Sequence, residues 1–375
     1  MTNMATVKKR LILVLGMHRS GTSSLTRGLQ VLGVSLGDNL MAPIAGINDK
    51  GFWEDNDVVE LNENLLHALG RTWLTLHEIS ETEVALLHRE GFMDRAVELI
   101  ENKTENIPVF GLKDPRISRL LPFWLDVFTR CDLRVDCLLA LRNPISVADS
   151  LARRDGFLRE RSYQLWLAHT LEGLWHSLQV DSLRAIIDYD HYLETPKDYL
   201  QTLASTLSLS IGDERALDEY VSDFIDPDLR HSKHTVDELK RDETCTPLVL
   251  EVYEHLVELA QPAKWTSAKN ALAHKIESWV QVWDRESKNL EWIDKEITGQ
   301  GRSQTSQGRS RTSQGRSRTS QGRSRTSQGR SRTSQGRSRT SQGRSRTSQG
   351  RSRTSQGRTG RSVQLQIVAS DKPIA

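Results

Sequence analysis

Residues 11–24, Leu-Ile-Leu-Val-Leu-Gly-Met-His-Arg-Ser-Gly-Thr-Ser-Ser, set Arg19, Ser20, Gly21, Thr22 and Ser23 in a short polar loop between an apolar run and a helix. Backbone N–H groups in such a loop and at the helix N-terminus point at an anion, and the helix dipole favours negative charge there. The spacing Gly16-x4-Gly21 matches the common nucleoside triphosphate loop, but Thr22 stands where that loop carries its lysine, and the only cation inside is Arg19. The loop therefore suits a phosphate-like anion and not a magnesium-bound nucleoside triphosphate.

A second segment repeats the pattern. The apolar run Val135 to Leu141 ends at Arg142, and Pro144 sits where a helix can open without losing a hydrogen bond. Arg142 offers a planar fork of donors, and Ser150, two turns into the helix, offers a hydroxyl; together they can grip one phosphate. Lys113 ends a third apolar run. Its strand is expected to end in the same register as those ending at Gly16 and Arg142, which puts the lysine at the carboxyl edge, where open α/β sheets bind ligands. Its structural alternative is a pairing with Asp114 or Asp136. Glu54 follows Gly51-Phe52-Trp53, and with Asp55 and Asp57 it also suits a helix N-terminus.

On these residues the chain resembles the sulfotransferase family that uses 3'-phosphoadenosine 5'-phosphosulfate (PAPS), in its bacterial, carbohydrate-type branch. Arg19-Ser20-Gly21-Thr22 is similar to the signature that wraps the 5'-phosphosulfate. Arg142, Pro144 and Ser150 are similar to the signature that holds the 3'-phosphate. Tyr189-Asp-His-Tyr-Leu-Glu-Thr-Pro196 resembles a segment whose tyrosine lies near the adenine, and Gly111–Arg116 and Gly51–Glu54 resemble segments of the same branch. The resemblance runs from about Leu11 to about Phe224. It implies a PAPS-dependent enzyme that passes a sulfuryl group to a hydroxyl or amine of a glycan or another small or cell-surface molecule, with no metal. Arg19 and the N–H groups of Ser20 to Ser23 would hold the phosphosulfate, and Lys113 would neutralise the leaving oxygen. Glu54 would take the acceptor's proton, with Asp114 and His18 as further candidates. Two features depart from the cytosolic branch: Lys113 is followed by Asp114-Pro115 rather than by a Lys-x-His pattern, and no late Arg-Lys-Gly loop is evident.

The elements that must position these residues follow from periodicity. Strands over 10–16, 108–112, 134–141 and 184–189 alternate with helices over 22–33, 57–69, 81–101, 117–129, 145–153, 162–180 and 196–207. Continuous apolar strands alternating with helices predict a P-loop-like α/β fold, three layers deep, with a central parallel sheet covered on both faces. Helices near 214–222, 247–260 and 267–296 follow. The expected organisation is a sulfotransferase domain over 1–230, a helical extension over 231–300 and a repeat tail over 301–375.

That tail is a perfect repeat: Thr-Ser-Gln-Gly-Arg-Ser-Arg recurs seven times from Thr305 to Arg353. With no apolar position in the heptad it cannot form a coiled coil or bury a core, so disorder is expected. Residues 301–375 hold 17 Arg and one Lys against one Asp, a net charge of +17. That leaves 33 basic and 48 acidic groups on residues 1–300, a net of −15, so the overall +2 conceals two opposite polyelectrolytes. The tail is expected to contact polyanions or the acidic body. Three cysteines, Cys131, Cys137 and Cys245, suit buried thiols better than a disulfide or metal site. No stretch is long and apolar enough for a signal or membrane span, which predicts a soluble cytoplasmic protein. Two other functions compete: a kinase-like phosphotransferase, which lacks its lysine here, and a non-catalytic nucleotide-binding module with a polyanion-binding tail.

Overall fold

In a computed structural model, the chain is described over residues 9–45, 48–225, 232–288 and 290. The heptad repeat and the rest of 291–375 lie outside the described residues, as do 226–231 inside the span. The described residues belong to one compact unit.

Among the described residues, four parallel strands form one sheet in the order β2-β1-β3-β4: β1 (Arg10–Leu15), β2 (Val109–Lys113), β3 (Arg134–Leu141) and β4 (Leu183–Asp188). Each is a run of apolar residues buried on both sides, the pattern of a sheet covered by helices on either face. On one face Ile12, Val14, Leu138, Ala140, Ala185 and Ile187 join a core completed by Leu25 and Leu29 of α1 (Thr22–Val31) and Leu200 and Leu203 of α9 (Pro196–Leu207). Against the other lie α5 (Ile117–Arg130) and α7 (Arg159–Gln179), where Gly173 brings the α7 backbone onto the Leu15 side chain. The chain leaves β1 for β2 on one side and returns past β1 to β3 on the other. The carboxyl ends of β1 and β3 therefore flank a topological switch point, the usual place for a ligand.

Between β1 and β2 the chain forms α1, then α2 (Asn56–Ala68), α3 (Glu81–Arg89) and α4 (Phe92–Lys103). The single helix read over 81–101 is two, because Gly91 takes φ +78° and turns the chain between them. After β3 come α6 (Pro144–Asp155) and α7; after β4 come the short α8 (Tyr189–Glu194), α9, and α10 (Glu214–Glu219), which continues as a π-helical turn to Phe224. Then α11 (Val236–Arg241), α12 (Pro247–Leu259) and α13 (Trp265–Lys288) follow. The Trp265 indole N–H donates to the Ile186 carbonyl of β4 at 2.9 Å, and α13 packs along α7.

Candidate active site

The loop after β1 is shaped by close backbone approach. Gly16 takes φ +136°, and a Cβ there would stand 2.6 Å from the Ala140 carbonyl oxygen of β3. Arg19 and Gly21 also have positive φ, 70° and 83°. Gly21 opens α1 with no side-chain cap, and the helix has no acidic residue in its first turn. Its N-terminal N–H groups and dipole are thus offered outward, the arrangement that receives an anion. The buried Ser20 hydroxyl has no hydrogen-bond partner among the described residues. The aromatic ring of Tyr189 lies against Gly21, so closely that a Cβ would be 2.0 Å from a ring carbon. Only glycine admits this contact.

Tyr189 does not end β4. The strand stops at Asp188, whose Oδ1 accepts from the His191 N–H at 2.9 Å and caps α8, so Tyr189 is the first residue of that helix. Above its ring, at 4.8 Å, lies the Arg142 guanidinium. Arg142 donates Nη1 to the Arg19 carbonyl oxygen at 2.9 Å and Nη2 to the Ser232 carbonyl oxygen at 3.1 Å. Arg19 in turn donates Nε to the Ser150 hydroxyl oxygen at 2.8 Å. The side chain of Arg19 therefore engages the Arg142–Ser150 end of the loop. Burial pushes its guanidinium pKa down to about 10, and the charges of Arg154 and Arg142 push the same way. Three guanidiniums thus gather at this end of the cleft, that of Arg154 paired with the Asp155 carboxylate.

The other end of the cleft is built by Lys113 and Glu54. Lys113 is level with Val14 on β1, two residues short of Gly16, so the shared register read from sequence is corrected here. Its long side chain makes up the difference. Lys113 Nζ donates to Glu54 Oε1 at 2.6 Å and to the Ser23 hydroxyl oxygen at 3.3 Å, and Ser23 donates to the Phe52 carbonyl oxygen at 3.0 Å. Neither Asp114 nor Asp136 is its partner. Asp136 takes Arg10 and Arg184, while Asp114 accepts from Asn62 and Arg116. The N-cap of α2 falls to Asp55, which accepts from the Asp57 and Val58 N–H groups, so Glu54 is left for Lys113. Arg116 Nη1 stands 3.8 Å from the second oxygen of Glu54. Burial raises the Glu54 pKa, with Lys113 pulling it back.

One cleft of about 150 Å³ is lined by Arg19, Gly21, Thr22, Ser23, Glu54, Lys113, Arg142 and Tyr189. Ser150, buried behind Arg19, joins it through the hydrogen bond to Nε. His18 also lines the cleft, its ring tilted against that of Trp73 with centroids 4.6 Å apart, and burial together with nearby Arg116 and Arg154 holds its pKa well below the ordinary value. Sequence reasoning did not single out Arg154 or Trp73. Arg154 lies four residues after Ser150, one helical turn along the same face, a spacing that could have marked it. The positions of Asn48, Lys50 and Phe224 in the cleft lining, and of Trp73 against His18, come from long-range packing with no local signal.

Among the described residues, no group of three or more His, Cys, Asp or Glu side chains could hold a metal, and no helix is long and apolar enough to cross a membrane. Cys137 is buried, Cys131 and Cys245 are partly buried, and all three are free thiols.

No family model matches the chain, and no curated protein matches it in sequence. Among solved structures it is similar to the sulfotransferase domain from the Synechococcus PCC 7002 olefin synthase, at a TM-score of 0.37 and 17% identity, with 72% of this chain and 96% of that chain covered. It is also similar to the sulfotransferase domain from the curacin biosynthetic pathway, at a TM-score of 0.35 and 16% identity, with 72% and 98% covered.

Proposed function

We propose that the chain transfers a sulfuryl group from PAPS to a hydroxyl acceptor. The observation that carries this reading is the pairing, in one cleft, of two anion receptors with a buried lysine–carboxylate pair. The first receptor is the uncapped start of α1, with the hydroxyls of Ser20 and Thr22; it suits the 5'-phosphosulfate. The second is Arg142, Ser150 and Arg19, which suits a 3'-phosphate, with the Tyr189 ring between them for the adenine. The lysine position of a triphosphate loop is Thr22, which disfavours a kinase.

Sulfuryl transfer is an in-line displacement through a loose transition state, so the protein's work is positioning, charge neutralisation and one proton transfer. Lys113 Nζ, already on the Ser23 hydroxyl, would face the bridging oxygen and neutralise the charge that grows there as the S–O bond breaks. Glu54, kept basic by burial, would accept the proton of the attacking hydroxyl. The products are a sulfated acceptor and 3'-phosphoadenosine 5'-phosphate (PAP).

Calorimetry with PAP, AMP and ATP tests the donor assignment. PAP should bind far more tightly than AMP. Arg142→Ala should weaken PAP about tenfold or more, the loss of one charged hydrogen bond of roughly 1.5–3 kcal/mol. Equal affinity for PAP and AMP would leave the 3'-phosphate receptor without a ligand and overturn the reading.

A further inference from the structure

The guanidinium of Arg154 is not used by the donor assignment, and its surroundings differ from those of its neighbours. Arg142 lies over Tyr189, at the donor end of the cleft. Arg154 lies over a different ring, that of Trp73, at 5.7 Å, and Trp73 is itself against His18 and 5.9 Å from Phe157. Arg19 stands between the two cations and feels both. The loop that carries Trp73 is held firmly: Arg119 donates to the Thr75 and His77 carbonyls, Arg71 to those of His77 and Glu78, and Arg161 to that of Leu74.

This end of the cleft presents two buried polar atoms that no described residue satisfies, Arg154 Nη2 and His18 Nε2. Arg154 Nε is taken by the Asp155 carboxylate, at 3.0 and 2.8 Å from its two oxygens, which fixes the plane of the fork and leaves Nη2 directed elsewhere. A buried guanidinium N–H without an acceptor is costly, so such a group in a cleft wall is the mark of a ligand oxygen. His18, Arg154 and the Glu54–Lys113 pair all line the same cleft.

We propose that His18, Trp73 and Arg154 form the acceptor subsite and that Arg154 binds an oxyanion of the acceptor, which is therefore an anionic hydroxyl compound. The inference rests on the sulfuryl-transfer reading. The acceptor's carboxylate, phosphate or sulfate takes the Nη2 N–H, and neutral His18 makes a hydrogen bond to a polar group beside it. The acceptor hydroxyl is thereby presented to Glu54. The reacting bonds are unchanged: sulfur bonds the acceptor oxygen, the S–O bond to the donor phosphate breaks, and the proton passes to Glu54.

Inorganic sulfate is the probe, titrated into the full chain saturated with PAP. The wild-type complex should bind sulfate, and Arg154→Met should weaken that binding at least about tenfold while PAP affinity moves less than about twofold. Arg154→Lys, which keeps the charge but not the fork, should fall between them. Retained PAP affinity also reports that the variants are folded. A parallel loss of PAP affinity would place Arg154 in the donor receptor and overturn the assignment. So would sulfate affinity that is absent in the wild type or indifferent to Arg154, the latter as expected of an ion at the sulfuryl position. Failure of the wild-type chain to bind PAP would show earlier, in the first titration, and would count against the sulfuryl-transfer reading itself.

Discussion

Glu54 and Lys113 form a buried ion pair at 2.6 Å, and the proposed reaction gives each member a separate task. A buried pair is weak evidence for stability, because desolvation offsets most of the attraction; its placement in a cleft beside an anion cradle argues for chemistry instead. Glu54→Gln keeps the size and the hydrogen-bonding reach of the side chain but cannot accept a proton. PAP affinity should stay nearly intact while turnover falls about 10²–10⁴-fold, as for loss of a general base. The pH dependence carries the same assignment. A base must be ionised, and burial raises the Glu54 pKa, so kcat/KM should rise with pH through a value above the ordinary carboxylate range. Glu54→Gln should lack that rising limb. Normal turnover in Glu54→Gln would move the proton transfer to another group, with Asp114 and His18 next in line. Asp114 is the weaker of the two, since its oxygens are already occupied by Asn62 and Arg116.

At the scale of elements, the end of β4 shows how one residue sets a boundary. Asp188 stops the strand by capping α8 through Oδ1, while its buried Oδ2 has no partner among the described residues. Burial raises its pKa to about 6, with the His191 N–H acting against the shift. The sign of the pH effect follows: a carboxyl whose folded pKa lies above its unfolded value destabilises the fold as it ionises, so stability is lost as pH climbs from about 4 through about 6. Asp188→Asn keeps the capping oxygen and stays neutral. It should gain on the order of 2–3 kcal/mol over wild type in denaturant unfolding at about pH 8 and almost nothing at about pH 4. A gain of equal size at both pH values would mean that burial of the charge is not the cause. The alternation of apolar strands with helices made the sheet and most helices legible from sequence, because both signals are local. The position of Lys113 was not, since register depends on pairing with β1, nor was the Glu54 contact, which joins residues 59 apart through side-chain reach alone. The break at Gly91 was visible as a glycine, but its left-handed conformation was not.

For the whole chain, the dominant feature is the separation of charge between residues 1–300, at −15, and residues 301–375, at +17. All of the residues assigned to the donor, the proton transfer and the acceptor subsite precede residue 200, so the repeat has no assigned part in the chemistry. Seventeen arginines, most of them in a heptad without an apolar position, have an electrostatic role available to them. We propose that they bind polyanions or the acidic body, over a range set by screening of about 8–10 Å at ordinary salt. The two partners give different salt responses. A polyanion such as a nucleic acid or an acidic glycan releases counterions, so log affinity falls linearly with log salt. Attraction to the body instead contracts the protein at low salt and lets it expand at high salt, a change read by small-angle scattering. The described residues belong to one compact unit and all of them precede residue 291, so a chain ending at Gln300 should fold. It should bind PAP with unchanged affinity and lose only the salt-sensitive association or contraction. A folded truncation that no longer binds PAP would mean that the repeat contributes to the donor site, and the division of labour argued from charge would fail.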